Sequence, residues 1–397
     1  MSLLRRTSYL NKIQPFVGKP IIKILVGMRR VGKSELLKQV RDDLLAQNTS
    51  GLCIYINKEL RAFDGIRDSH ELNAYVTEKG GCKGTAIFID EVQEIVNWEK
   101  SVTSYLAEGM DVYITGSNAH LLSSDLATLL AGRYIEFPIF TLSFKEFLEL
   151  RNSPASRSDE FSLYLKFGGL PGLHAFEFME TPSFQYLDAI YQSILLKDIV
   201  KRHNIRNVNL LDNVTQYIYD NIGNLFNANN VSKFLKSQRV NNSLPTILTL
   251  VRYICDAFLS HEVRQYDLKG KRFLEINDKY FVSDLGLRHA ILGYREADIA
   301  GILENIVYLE LLRRDYTVSI GKIGDKEVDF ICDRRGERLY IQVTYLMSTQ
   351  NIIDREFSSL EKIEDNHPKV VLSMDPLHIK RETGIQHVHI IDFLLQV

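Results

Sequence analysis

Five apolar runs punctuate the first third of the chain, at residues 21–26, 52–57, 85–90, 111–115 and 134–140. Each is largely continuous, with many Ile, Val, Tyr and Phe, the pattern of strands buried on both faces of a parallel sheet. Residues 33–45 and 69–79 predict helices between them, and this strand–helix alternation belongs to the α/β class. Past residue 180 the pattern changes. A helix with three- and four-residue apolar spacing covers 184–202, and shorter helices are expected over 207–222, 230–238 and 243–258. The last of these opens on Ser243-Leu244-Pro245, a cap followed by a proline. Strand-like runs at 261–266 and 272–282 flank the turn Asp267-Leu268-Lys269-Gly270. From 301 the order becomes helix (301–314), three strands (317–321, 327–332, 339–344), helix (351–362) and two further apolar runs (370–373, 388–395). These shifts divide the chain into three parts, 1–180, 181–300 and 301–397.

With 397 residues, 45% hydrophobic and 25% charged, the chain has the composition of a globular protein with room for several cores. A formal net charge of −2 gives no global basic field, so any nucleic-acid surface has to be local. Cys53, Cys82, Cys255 and Cys332 are far apart and form no C-x-x-C pair; they read as reduced core residues of a cytoplasmic protein. No apolar run is long enough to predict a signal peptide or a membrane span.

Chemistry enters at the end of the first run. Gly27-Met28-Arg29-Arg30-Val31-Gly32-Lys33-Ser34 is G-x-x-x-x-G-K-[ST], the phosphate-binding P-loop. Its glycines let backbone N–H groups surround a polyphosphate, and the helix that follows presents its positive end to the same anion. Residues Gly27 to Glu35 are therefore the expected nucleotide contacts, with Lys33 reaching the β- and γ-phosphates and Ser34 holding Mg²⁺. The run 85–90 ends in Asp90-Glu91, the Walker B position, where Asp90 would complete the Mg²⁺ shell and Glu91 would activate the attacking water. At the tip of 111–115 stands Gly116-Ser117-Asn118, and either Asn118 or Ser117 is a candidate for sensing the γ-phosphate. Arg133 precedes the fifth run and is a candidate for stabilising transition-state charge, in cis or from a neighbouring subunit.

In order and spacing, GMRRVGKS, FIDEVQ, ITGSNAHLLSS, LAGRYIEF and LSFKEFL resemble a family of prokaryotic AAA+-related ATPases. The resemblance implies a P-loop parallel-sheet ATPase core, a helical winged-helix-like middle and a restriction-endonuclease-like α/β C-terminal domain. Gly168-Gly169-Leu170-Pro171-Gly172 further resembles the G-x-P motif of STAND ATPases, which implies that Pro171 packs near adenine and that the following helices form a nucleotide-dependent lid; a plain turn between helices is the alternative. Adenine over guanine, and hence ATP and ADP as ligands, rests on the same resemblance.

Three helices followed by a hairpin give the middle the order of a winged helix, with the helix from Ser243 as recognition helix and Lys269, Lys271 and Arg272 on the wing. That helix offers a single arginine, and residues 225–298 hold eleven basic against eight acidic side chains, so packing or a lid role competes with DNA contact. In the last part, Glu304 on a helix and Asp329 on a strand resemble the PD-(D/E)xK nuclease layout, in which carboxylates hold Mg²⁺ and a lysine assists water. Gln342 and Thr344 stand where that layout has an acid and the lysine, so cleavage is not expected; Lys322 and Lys326 are the nearby lysines. His387 and His389 have no third ligand near them in sequence and read as structural. The expected activity is Mg²⁺-dependent ATP hydrolysis driving a conformational switch. An ATP-liganded nucleic-acid-binding regulator and an ATP-dependent nuclease are the alternatives, and DNA, a protein partner and a second copy of the chain are the open partner classes.

Overall fold

The structure, a computed structural model, describes residues 4–47, 51–118, 130, 132–237, 243–274, 278–376, 379 and 384–396. The chain forms two compact units, Met1–Phe140 with Asp256–Phe258, and Thr141–Cys255 with Leu259–Val397.

In the first unit the elements run α1 (Thr7–Ile13), β1 (Ile22–Val26), α2 (Lys33–Ala46), β2 (Cys53–Asn57), α3 (Ser69–Glu78), β3 (Ala86–Asp90), α4 (Trp98–Ala107), β4 (Asp111–Gly116) and β5 (Tyr134–Pro138). The strands form one parallel sheet in the order β2-β3-β4-β1-β5. Every residue of β1 and β3 is buried, which is why these strands read as continuous apolar runs. Ile24, Ile56, Ile87, Ile89 and Ile114 pack with Leu72 and Val102 in one core. Each such side chain contributes about 1.5–3 kcal/mol on burial. Because all five strands point the same way, the segments after β1, β3 and β4 emerge at one edge, which gathers residues far apart in sequence. The pieces AHLLSS and Ala131 of the motif region lie outside the described residues.

The second unit begins with α5 (Phe144–Arg151), α6 (Arg157–Phe167) and α7 (Glu180–Ser193). Ser143 and Glu146 form a reciprocal capping box at the start of α5. The helical path of α7 continues through a wide turn, Ile194–Val200, to His203. Then come α8 (Val208–Asp220), α9 (Ala228–Ser237) and α10 (Leu244–Asp256), close to the expected spans; Gln238 lies outside the described residues. The rest is β6 (Ser260–Val263), β7 (Gln265–Asp267), β8 (Arg272–Phe273), β9 (Lys279–Val282), α11 (Leu285–Leu292), α12 (Ile299–Arg313), β10 (Thr317–Ile323), β11 (Lys326–Arg334), β12 (Glu337–Val343), α13 (Gln350–Glu361), β13 (Lys369–Ser373), β14 (Gln386–His389) and α14 (Ile390–Leu395).

The runs 261–266 and 272–282 pair antiparallel across their turn, β7 with β8 beside it and β6 with β9 further out, and β7 also pairs in parallel with β10. The resulting seven-stranded sheet, β14-β13-β12-β11-β10-β7-β8, therefore takes strands from both sides of residue 300. Apolar pattern reports burial and period but not which partner a strand meets. The run 388–395 is a strand only to His389, whose ring accepts the Ile391 N–H (3.2 Å) and caps a short helix. A short apolar stretch leaves strand and buried helix unresolved.

Candidate functional site

The loop after β1 is wound for an anion. Arg30 (φ +67°) and Gly32 (φ +97°) take left-handed backbone, the kind of turn that points successive N–H groups into one concavity. Gly27 (φ +151°) passes so close to Ile139 that a Cβ there would lie 2.2 Å from its carbonyl oxygen. Met28 and Val31 are buried and anchor the loop from below. Lys33 is buried too, its Nζ donating to the Gly27 and Met28 carbonyls (2.9 and 3.0 Å) and lying 3.9 Å from Glu91 Oε1.

Opposite the loop, β3 delivers Asp90, and burial pushes its carboxyl up against the opposing pull of the Thr115 and Ser34 hydroxyls. Thr115 Oγ1 donates to Asp90 Oδ1 (2.6 Å) and accepts the Glu91 N–H (2.9 Å), so one side chain fixes both acidic residues. Tyr55 donates to the other oxygen of Asp90 at 3.4 Å. Glu91 is held at φ +56°, a conformation that costs a non-glycine residue about 1–3 kcal/mol and turns its chain out of the strand direction. The Gln93 amide donates to the Glu91 carboxylate and, at 3.4 Å, to Ser117 Oγ.

Lys33, Ser34, Asp90 and Glu91 are thus brought together, and Ser117 reaches the same group through Gln93. Asn118 is buried beside Ser117 at the tip of β4. Arg29 lies 3.8 Å from the Glu59 carboxylate, Arg30 is exposed, and Glu35 pairs with Lys38 on the helix surface. Arg133 is not brought in: its carbonyl accepts the Ile22 N–H at the start of β1, whereas the loop leaves the end of that strand, about 16 Å further on at ~3.3 Å per residue. Thr115, Gln93 and Tyr55 were missed. The signal for Thr115 was a polar side chain ending an apolar run next to a strand that ends in Asp-Glu; Tyr55 carried none.

In the second unit, Gly168 and Gly169 have a structural task. The Gly169, Gly286 and Leu287 N–H groups donate to the Asp284 carboxylate at 2.8, 2.9 and 3.3 Å, and a Cβ on Gly168 (φ +77°) would sit 2.2 Å from Asp284 Oδ1. Pro171 opens the short helical turn Pro171–Phe176. Burial raises the Asp284 carboxyl to about 6 despite those three donors. The folded protein therefore keeps this proton to higher pH than the unfolded chain, and the group's contribution to stability falls as pH rises from about 4 to about 6. The stability of Asp284→Asn relative to wild type should shift in the variant's favour by on the order of 3 kcal/mol between about pH 4 and 7. Urea unfolding at the two pH values measures this, and a pH-independent difference contradicts it.

Glu304 and Asp329 do come together, around a lysine that sequence reasoning did not select. Lys279, from β9, lies 3.2 Å from Glu304 and 2.5 Å from Glu327, its Nζ buried among carboxylates. Burial lowers its affinity for the proton, but the charges of Glu304, Asp329 and Glu327 outweigh it and the ammonium form is strengthened. Asp329 accepts the Val343 N–H (2.7 Å), and burial and the Glu304 charge push its carboxyl well up. Gln342 stays beside Asp329, its amide oxygen accepting from the Asp329 N–H (3.4 Å) and from Ser359 (3.2 Å) while its amide nitrogen donates to Glu356 (3.2 Å). Lys326 is engaged with Ser358 instead. His387 bonds Ser373 (2.8 Å) and accepts from Ile379 N–H (2.9 Å). Among the described residues, no three His, Cys, Asp or Glu side chains are placed to hold a metal ion.

A parallel sheet with the P-loop strand beside β4, and β4 beside the strand ending in Asp90-Glu91, defines the first unit as a P-loop ATPase-type domain. The AAA domain family model matches residues 19–148, and the model of a domain of unknown function matches residues 158–298. An uncharacterised protein of Haemophilus influenzae is 37% identical over 402 residues, covering 100% of this chain and 99% of its own length. One from Methanocaldococcus jannaschii is 30% identical, with 90% of this chain and 81% of that protein covered. The chain belongs to the family of these two proteins, an AAA-domain family. In fold it is similar to a Walker-type ATPase of Pyrococcus abyssi, with a TM-score of 0.51 at 14% identity over 73% of this chain and 96% of that one. Among the described residues no helix is long and apolar enough to cross a membrane.

Proposed function

We propose that this protein binds ATP with Mg²⁺ in the cytoplasm, hydrolyses it, and uses the change between ATP and ADP states to rearrange its later segments, 181–300 and 301–397. The observation that carries the reading is the convergence of Lys33, Ser34, Asp90 and Glu91 at one edge of the sheet, with Thr115 fixing both carboxylates. The left-handed loop fits a polyphosphate, and the Ser34 hydroxyl beside Asp90 fits Mg²⁺, which supplies charge neutralisation at the β- and γ-phosphates. Lys33 exchanges its loop carbonyls for phosphate oxygens. Glu91 orients and activates water, and Asn118 or Ser117 reads the γ-phosphate. Arg133, distant from its own loop, serves a neighbouring copy of the chain in a homo-oligomer.

Winged-helix-like and nuclease-like roles belong to the same proposal. The order of α8, α9, α10 and the β6/β9 pair supports the first, and Glu304 with Asp329 supports the second. The ion pairing of Lys279 argues against cleavage. Steady-state phosphate release with Mg²⁺, with and without mixed-sequence DNA, tests the whole reading. Release that depends on Glu91 supports it, and stimulation by DNA makes nucleic acid the input. Tight ATP binding without release favours an ATP-held regulator instead, and metal-dependent cutting lost in Asp329→Ala would reinstate a nuclease.

A further inference from the structure

Outside every motif, Arg6 is buried against the back of the P-loop. Its Nη1 donates to the Val31 carbonyl (3.1 Å) and to the Phe140 carbonyl (3.0 Å). The guanidinium lies 4.4 Å from the Tyr9 ring centroid, and the Tyr9 hydroxyl accepts the Phe140 N–H (3.1 Å). The Arg6 backbone N–H donates to Gln39 Oε1 (3.1 Å), and Gln39, on the helix that follows the loop, returns a bond to the Leu4 carbonyl (2.7 Å). Arg6 is therefore tied to the segment after β5, to the helix and to the loop itself.

We propose that Arg6 is a positioning residue for the phosphate cradle: by pinning the Val31 carbonyl it aims the Gly32 N–H at the bound phosphates. In a planar trans peptide the C=O and the following N–H point in opposite directions. Holding the Val31 oxygen outward thus fixes the Gly32 N–H inward, in a loop whose left-handed residues would otherwise let that peptide plane turn. The same strand extension braces both ends of the loop, since the Ile139 carbonyl abuts Gly27 while Phe140 shares Arg6 with Val31. Lysine is a point charge on a flexible stem and lacks the planar fork that meets two carbonyls in fixed directions.

This inference rests on the nucleotide-binding reading, and the test separates the two. Titration of the full chain with a fluorescent ADP analogue, competed with ADP and with adenosine, gives affinity. Melting of the nucleotide-free protein reports its folding. Arg6→Met should weaken ADP about 10- to 100-fold, the worth of one or two hydrogen bonds to a charged group, while adenosine competes unchanged. Arg6→Lys should recover part of that loss. Lys33→Ala is the control for the reading. No binding by wild type, or undiminished binding by Lys33→Ala, overturns the nucleotide reading and this proposal with it. Wild-type ADP affinity in folded Arg6→Met, or equal losses for ADP and adenosine, overturns this proposal alone. Failure of both Arg6 variants to fold makes Arg6 a folding residue and overturns it likewise.

Discussion

Glu91→Gln should lower ATP turnover by about two to four orders of magnitude while nucleotide affinity stays within a few-fold of wild type. The substitution keeps shape and removes charge. A glutamine at position 91 retains an oxygen for the Gln93 amide, and its backbone N–H still meets Thr115, so the left-handed turn is undisturbed. What disappears is the carboxylate that, in the proposed reaction, would draw a proton from water as the phosphorus–oxygen bond forms. Lys33 loses a negative neighbour 3.9 Å away, which favours the polyphosphate slightly more in the variant. Single-turnover phosphate release beside equilibrium ATP binding measures both halves. Turnover within three-fold of wild type would remove Glu91 from the chemistry and leave the site as a nucleotide holder.

The second large effect is on stability. Lys279→Met should destabilise the second unit by about 3–5 kcal/mol, the usual consequence of deleting one partner of a buried ion pair. Lys279 is almost fully buried, and without it Glu304, Glu327 and Asp329 face one another uncompensated. The Glu304 and Asp329 carboxyls, already raised by burial, would be driven further up, so the folded variant would hold protons that the unfolded chain has released. Its deficit should therefore grow as pH rises above about 4 and shrink in acid. Replacing Glu304 by Gln in the same chain should recover part of the loss. Urea unfolding of the single and double variants decides it; a deficit that ignores both pH and Glu304 would mean that Lys279 acts through packing alone.

The gathering of the candidate nucleotide site was legible in the sequence because its determinants are contiguous. Gly27 to Ser34 and Asp90-Glu91 each fit within eight residues, and the strand pattern places both at strand ends. Arg6 was invisible for the opposite reason. It stands before the seven-residue helix α1, which carries no periodic signal of useful length, and it acts through backbone carbonyls that leave no trace in residue identity. Lys279 was overlooked because its partners lie 25 and 48 residues downstream. The close packing of Gly168 and Gly169 on Asp284, more than a hundred residues away, left no mark in the local sequence. Arg133 was open to acting in cis or from a neighbouring subunit, and strand register places its backbone at the start of β1, away from its own loop.

The parallel pairing of β7 with β10 also sets an order of events during synthesis. β7 ends at Asp267 and its partner begins at Thr317. At ~5–20 residues per second, the ribosome delivers that partner some 3–10 seconds later. Throughout that interval Gln265–Asp267 can bond only to the short β8, and its other side is an open edge able to template a foreign strand. A truncated chain that stops near residue 300 would keep that edge permanently. Attempts to express the middle segment by itself should therefore yield aggregates, whereas extension through β10 supplies the missing neighbour.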